Sequence, residues 1–156
     1  MSEKELREMC LQTINAAWPA YLTTVDAEGF PQTRAMFNLR NEVRFPKLVS
    51  LFQKQSNEFT IIFSTNTSST KISDMEENPK VAVYYCLPES WRGVMLGGEI
   101  EIVHDLELKK NLWHDGWERY YPSGFDDPDH SVVRLYPTIA RGWNQSMTFR
   151  IDLGGI

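Results

Sequence analysis

The stretch Ala20-Tyr-Leu-Thr-Thr-Val-Asp-Ala-Glu-Gly-Phe-Pro-Gln-Thr-Arg-Ala-Met-Phe-Asn-Leu39 decides the fold class. Residues 20–25 are rich in β-branched and aromatic side chains, which suit a half-buried strand. Residues 26–29 form an acidic turn ending in Gly29, and residues 32–39 read as a second strand. A tight turn between two such runs joins antiparallel neighbours. In the second run, a period of two puts Arg34, Met36 and Asn38 on one face and Thr33, Ala35, Phe37 and Leu39 on the other.

On the N-terminal side, Leu6, Met9, Cys10, Ile14 and Ala17 recur at three- and four-residue spacing, which predicts a helix over 3–17 closed by Pro19. On the C-terminal side, residues 48–52 predict a helical turn after Pro46, and residues 59–63 a buried strand. Residues 69–78 predict a helix ending before Pro79, and 81–86 a central strand. Residues 93–103 alternate, with Glu99 and Glu101 opposite in face to Ile100 and Ile102. Leu106, Trp113, Trp117 and Tyr120 predict a helix over 106–121, and residues 132–136, 140–143 and 147–152 predict three short closing strands. Strands outnumber helices and the clearest pairs are hairpin-linked. The expected fold is therefore mainly β, an antiparallel sheet or barrel with flanking helices.

A length of 156 residues predicts one domain spanning 1–156. Hydrophobic residues at 42% against 24% charged exclude wholesale disorder. A net charge of −5 argues against a nucleic-acid surface, although a local basic site remains compatible with it. Cys10 and Cys86 form no CxxC or metal-type spacing, so a reducing compartment is expected. The N-terminus has no apolar run behind a basic start, and the longest apolar runs are too short to span a bilayer. A cytoplasmic protein with no membrane partner is the expectation. His104, His114 and His130 lack metal-motif spacing, and neither GxSxG nor GxGxxG occurs.

The richest segment chemically is Ser64-Thr-Asn-Thr-Ser-Ser-Thr-Lys-Ile-Ser73, with seven hydroxyls in ten positions. It joins an expected strand to an expected helix, whose N-terminus favours phosphate. Hydroxyl donors and the Lys71 ammonium would add directed and charge-assisted hydrogen bonds. A solvated turn with Ser/Thr caps is the plain alternative. Arg34 shares a face with Met36, which reads either as a ligand-facing guanidinium or as an edge-strand Arg in water. Trp113, Trp117, Tyr120, Tyr121 and Trp143 read either as packing aromatics or as flat cover for a ligand.

Several segments then follow in a fixed order: Pro31-Gln-Thr-Arg-Ala-Met-Phe37, Phe63-Ser-Thr-Asn66 with Ser69-Thr-Lys71, and Asn78-Pro-Lys-Val-Ala-Val-Tyr-Tyr85. Next come Gly98-Glu-Ile-Glu-Ile-Val-His-Asp105 and Lys110-Asn-Leu-Trp-His-Asp-Gly-Trp-Glu-Arg-Tyr-Tyr-Pro-Ser-Gly-Phe-Asp-Asp-Pro-Asp129, then Arg134-Leu-Tyr-Pro137 and Trp143. In order and spacing these resemble the pyridoxamine 5′-phosphate oxidase-like FMN-binding split-barrel superfamily, in its general stress protein branch. The resemblance implies a six-stranded antiparallel split β-barrel. It further implies a homodimer with one FMN in each of two clefts at the subunit interface. By the same resemblance, Arg34 and the Met36-Phe37 backbone would lie along the flavin and its ribityl chain. Ser64 and Thr65 would touch the ring or ribityl region, and Ser69, Thr70 and Lys71 would take the phosphate. Trp143 would lie near the flavin edge, contributed by its own chain or by the other subunit.

The chain also departs from the family pattern. Thr70 stands where a pyridoxamine phosphate oxidase usually has a second basic residue, and nothing after Trp143 supplies its Arg-x-His substrate signature. A flavin-reaching Gln falls at Gly93, Gly142 and Asn144 flank Trp143 where the branch usually has an acid, and residues 41–57 read as an insertion. The implied function is therefore a flavin-dependent oxidoreductase without true pyridoxamine phosphate oxidase activity. The alternatives are a non-catalytic flavin- or haem-binding stress-response or sensor protein, and use of a deazaflavin in place of FMN.

Overall fold

Ser2 opens the chain's first helix, α1 (Glu3–Ala16), with a reciprocal cap: its Oγ accepts from the Glu5 amide while the Glu5 carboxylate accepts from its own. The computed structural model describes residues 1–154. Asp26 makes the hairpin that follows. Its Oδ1 accepts from the Glu28 and Phe30 amides, both at 2.9 Å, and Gly29 sits at φ +85°, a conformation open to glycine at no steric cost. The turn fixes β1 (Ala20–Val25) against β2 (Pro31–Met36), with Leu22 opposite Arg34 and Ala20 opposite Met36. Arg34, Met36 and Asn38 share the inward face as the alternation predicts, but Leu39, beyond the strand, is buried as well.

A short 3-10 turn, Pro46–Leu48, leads into α2 (Val49–Gln53), and β3 (Ile61–Asn66) is followed by α3 (Thr70–Glu77). Then come β4 (Lys80–Leu87), β5 (Arg92–Val103), α4 (Leu106–Leu112), β6 (His130–Asn144) and β7 (Met147–Asp152). All strand pairs are antiparallel, in the order β2-β1-β4-β5-β6-β3, with β7 also on β6. No helix among the described residues is long and apolar enough to cross a membrane.

The structure corrects the expected fold in four places. Among the described residues the sheet has seven strands rather than six, because β7 pairs with the second half of β6 while β3 pairs with the first. The topology is split-barrel-like, yet the sheet does not close into a true barrel: β2 and β3 end it and do not pair. Aromatic side chains from elsewhere stand where a closing ladder would run, as Trp18 stacks on Phe37 just past β2. The strands expected at 132–136 and 140–143 are one strand. Pro137 fits inside it because the register jumps there, Gly98 facing Pro137 and Gly97 facing Ile139, so Thr138 is left over as a bulge. Finally, the helix expected over 106–121 stops at Leu112. Trp113 turns extended and Gly116 takes φ +98°, before a 3-10 turn at Trp117–Arg119. The aromatics match helical spacing by sequence, but Trp113 and Trp117 meet edge to face across the break and both pack against His130.

Two apolar clusters hold these elements. The larger joins Cys10 and Ile14 of α1 to Leu22, Val83, Leu96 and Leu135 of the sheet. At roughly 2 kcal/mol for each fully buried side chain, such residues dominate the favourable side of folding. The smaller joins the 41–57 segment, through Phe45, Leu48 and Phe52, to Leu112, Trp117, Tyr121 and Val132. Buried amides tie that segment and the residues before it to the end of α1: Asn38 Nδ2 donates to the Ile14 and Ala17 carbonyls at 2.7 and 2.9 Å, and Asn41 Nδ2 to those of Ala16 and Ala17. These bonds hold Phe37 beside Trp18.

Candidate functional site

The hydroxyl-rich loop after β3 divides into a structural and an unpartnered part. Asp129 organises the first. Its carboxylate accepts from Asn66 Nδ2 at 2.6 Å and from the Ser68 amide at 2.8 Å, and its carbonyl from the Thr67 amide at 2.8 Å. Those bonds hold its pKa below the usual carboxylate range. Asp127 likewise accepts from the Ser123 and Asp129 amides, so the acidic run 126–129 is a turn that braces this loop. Thr67 is spent on the Pro128 carbonyl and Ser131.

The second part begins at Ser69, the N-cap of α3. Its Oγ makes no capping bond and is buried without a partner. An orphaned hydroxyl costs free energy unless something fills the position. Lys71, the second residue of the helix, is half-buried. Burial and the neighbouring Arg34 guanidinium push its pKa below the usual lysine range. Arg34 itself donates to Thr24 Oγ1 at 2.8 Å and the Leu22 carbonyl at 3.2 Å, partly desolvated, with Asp74 as its offsetting charge. Two cations thus converge on a helix start that already favours anions.

Between the unpaired ends of the sheet lies a cleft of about 370 Å³. Met36 lines it from β2 and Phe37 from just past it, Ser64, Thr65 and Asn66 from β3, and Lys71 from α3. Its aromatic wall comes from Trp18, Trp117, Tyr120 and Tyr121. Size, an aromatic wall and a cationic end suit an aromatic ligand carrying an anionic tail. Among the described residues no cluster of three or more His, Cys, Asp or Glu could hold a metal ion.

Of the residues singled out from sequence, Met36, Phe37, Ser64, Thr65 and Lys71 line this one cleft. Arg34, Ser69 and Thr70 do not line it: Thr70 is the exposed first residue of α3, and Arg34 is bonded to Leu22 and Thr24 on β1. Trp143 lies elsewhere, in a groove of about 470 Å³ with Tyr84, Cys86, Trp91 and Arg92. An added Cβ at Gly93 would overlap the Tyr84 phenol, so that ring occupies the space a longer side chain there would need.

By sequence, His130 is marked only by its lack of metal-motif spacing. It is fully buried, with Nδ1 2.7 Å from the Phe125 carbonyl and Nε2 3.1 Å from Ser64 Oγ. The aromatic faces of Tyr121, Trp113 and Trp117 surround it, and desolvation lowers its pKa. The signal that finds it is register: β3 and β6 pair with Ser64 facing Val132, which makes His130 the diagonal neighbour on the same face.

The sequence profile of the pyridoxamine 5′-phosphate oxidase family matches residues 4–144. The chain belongs to that family. Among the solved structures it is similar to are general stress proteins. A Clostridium acetobutylicum protein related to general stress protein 26 of B. subtilis, of the pyridoxinephosphate oxidase family, is 28% identical with a TM-score of 0.76. The match covers 97% of this chain and 96% of that one. General stress protein 26 from Bacillus anthracis str. Sterne shares the fold at 20% identity and TM-score 0.70, with 94% and 99% covered. A heme binding protein from Mycobacterium smegmatis shares it at 16% and 0.63, with 92% of this chain and 56% of that chain covered. No curated protein matches the sequence.

Proposed function

We propose that this single-domain protein binds FMN in the cleft between β2 and β3 and works as a homodimeric, cytoplasmic, flavin-dependent oxidoreductase. The observation that carries the reading is the buried, partnerless Ser69 Oγ beside Lys71 at the start of α3. A phosphate there satisfies the hydroxyl, accepts from the ammonium and meets the positive end of the helix. Ser69, Thr70 and Lys71 take the phosphate, with Arg34 adding charge from behind. Met36, Phe37, Ser64 and Thr65 flank the ring and ribityl chain. The flavin, when bound, supplies two-electron transfer, and the protein supplies position and field. Trp18, Phe37 and Tyr120 keep water from one side of the ring.

Trp143 supports the dimer. It is outside its own chain's cleft, on a groove where Trp91 is 73% and Trp143 40% exposed. A second copy that covers those rings buries apolar surface and brings Trp143 to the other chain's flavin. The test is titration of the purified protein with FMN, read by flavin absorbance and by tryptophan fluorescence, which quenches on binding. A colourless protein indifferent to FMN sinks the proposal.

A non-catalytic flavin carrier is the second reading. It is favoured by His130, whose ring nitrogens are both already engaged, leaving that imidazole no free atom for proton transfer. Anaerobic reduction of the bound flavin by a nicotinamide donor, followed by steady-state turnover, separates enzyme from carrier.

A further inference from the structure

We propose that His130 fixes the Ser64 hydroxyl as a donor into the protein, so that Ser64 offers the cleft only lone pairs and selects a ligand with an N–H or O–H at that point. A carbonyl oxygen can only accept, so the 2.7 Å contact with Phe125 puts a proton on His130 Nδ1. In a neutral imidazole Nε2 is then a bare acceptor, and at 3.1 Å the Ser64 Oγ–H must supply its partner. That uses the only proton Ser64 has, and its remaining lone pairs face the cleft it lines.

The neutral form follows from the surroundings. The ring is fully buried, with the Tyr121 ring centroid 4.6 Å away and those of Trp113 and Trp117 at 5.6 and 6.5 Å. Lys109 opposes a positive charge there, and of the facing groups Asp127 favours one. Asp127 is already committed to the Ser123 and Asp129 amides. His130 is thus a positioning residue that acts through Ser64.

The ligand half of the proposal rests on the flavin reading above. An oxidised isoalloxazine ring has one N–H, that of its imide, and its other polar ring atoms only accept. FMN's other donors are its ribityl hydroxyls; set against the ring, Ser64 pairs with the imide edge. Nitrogen-15 imidazole shifts of the full chain at neutral pH, together with binding of FMN and of N3-methyl-FMN, test both halves. The expected shifts show a protonated Nδ1 and a bare Nε2 that responds to Ser64→Ala. A proton on Nε2, or no response, overturns the assignment. N3-methyl-FMN should bind the unaltered protein roughly tenfold more weakly than FMN, the size of one lost hydrogen bond, and Ser64→Ala should remove most of that preference. Equal binding of the two flavins, or a preference that survives Ser64→Ala, overturns the ligand half. If FMN itself does not bind, the flavin reading falls, and the imidazole shifts still decide the Ser64–His130 assignment.

Discussion

Trp18 and Phe37 stack with their ring centroids 5.7 Å apart and 13° between their planes. One follows α1 and the other follows β2, so the stack joins two separate segments into one wall of the cleft. Arg44, from the 41–57 segment, lies over the Trp18 ring at 4.1 Å. Such an aromatic pair contributes about 0.5–1.5 kcal/mol beyond its buried area. Trp18→Ala should lower the urea midpoint and weaken ligand binding together. Arg44→Ala should cost only about 0.5–1 kcal/mol, the worth of a cation–π contact at an exposed site.

The phosphate end answers to charge. Lys71→Ala should weaken FMN binding by roughly ten- to a hundredfold, the range of a hydrogen bond to a charged group, and Arg34→Ala by less. Thr70→Arg should strengthen it and steepen its salt dependence. Unchanged affinity in both alanine variants would falsify the assignment of that end, and titration calorimetry at two salt concentrations is the measurement.

Acid should destabilise the protein through His130. Its folded pKa lies below the unfolded value near 6.5, mainly through desolvation. The unfolded chain therefore binds the extra proton first, and stability falls as pH drops through 6.5 until the folded pKa is also passed. Thermal melts at pH 7.5 and 5.5 should show the loss, and His130→Phe should flatten it. An unaltered slope in that variant would assign the acid sensitivity to other groups.

Asp129 should govern the order of the hydroxyl loop. Asp129→Ala removes acceptors from Asn66 and Ser68 at once. Amide hydrogen exchange over residues 66–70 should quicken, while Asp129→Asn, which keeps one acceptor oxygen, should be milder. Protection that is the same in all three proteins would show that the Thr67 contacts suffice.

Local signals were the legible ones. The hairpin at Asp26 and the capped helix α1 depend on neighbours within four residues, and both read directly from the chain. The 106–121 segment misleads because Trp113, Trp117 and Tyr120 keep helical spacing, whereas the positive φ at Gly116 has no signature beyond the residue itself. Pro137 divides a strand on paper because the bulge that accommodates it belongs to the pairing with β5. At the site, Ser64 and Lys71 stand out by composition. His130 does not, because its partner Ser64 is 66 residues away and meets it only through the register of β3 on β6.

The cleft's floor and wall belong to different apolar clusters. Met36 is part of the larger one, and Trp117 and Tyr121 are part of the smaller. A fluctuation that parts the two clusters needs only the smaller to loosen, while the sheet stays intact. The residence time of an FMN in the cleft should then follow how often residues 41–57 and 112–121 breathe, and Phe52→Ala, at a residue that does not line the cleft, should shorten it.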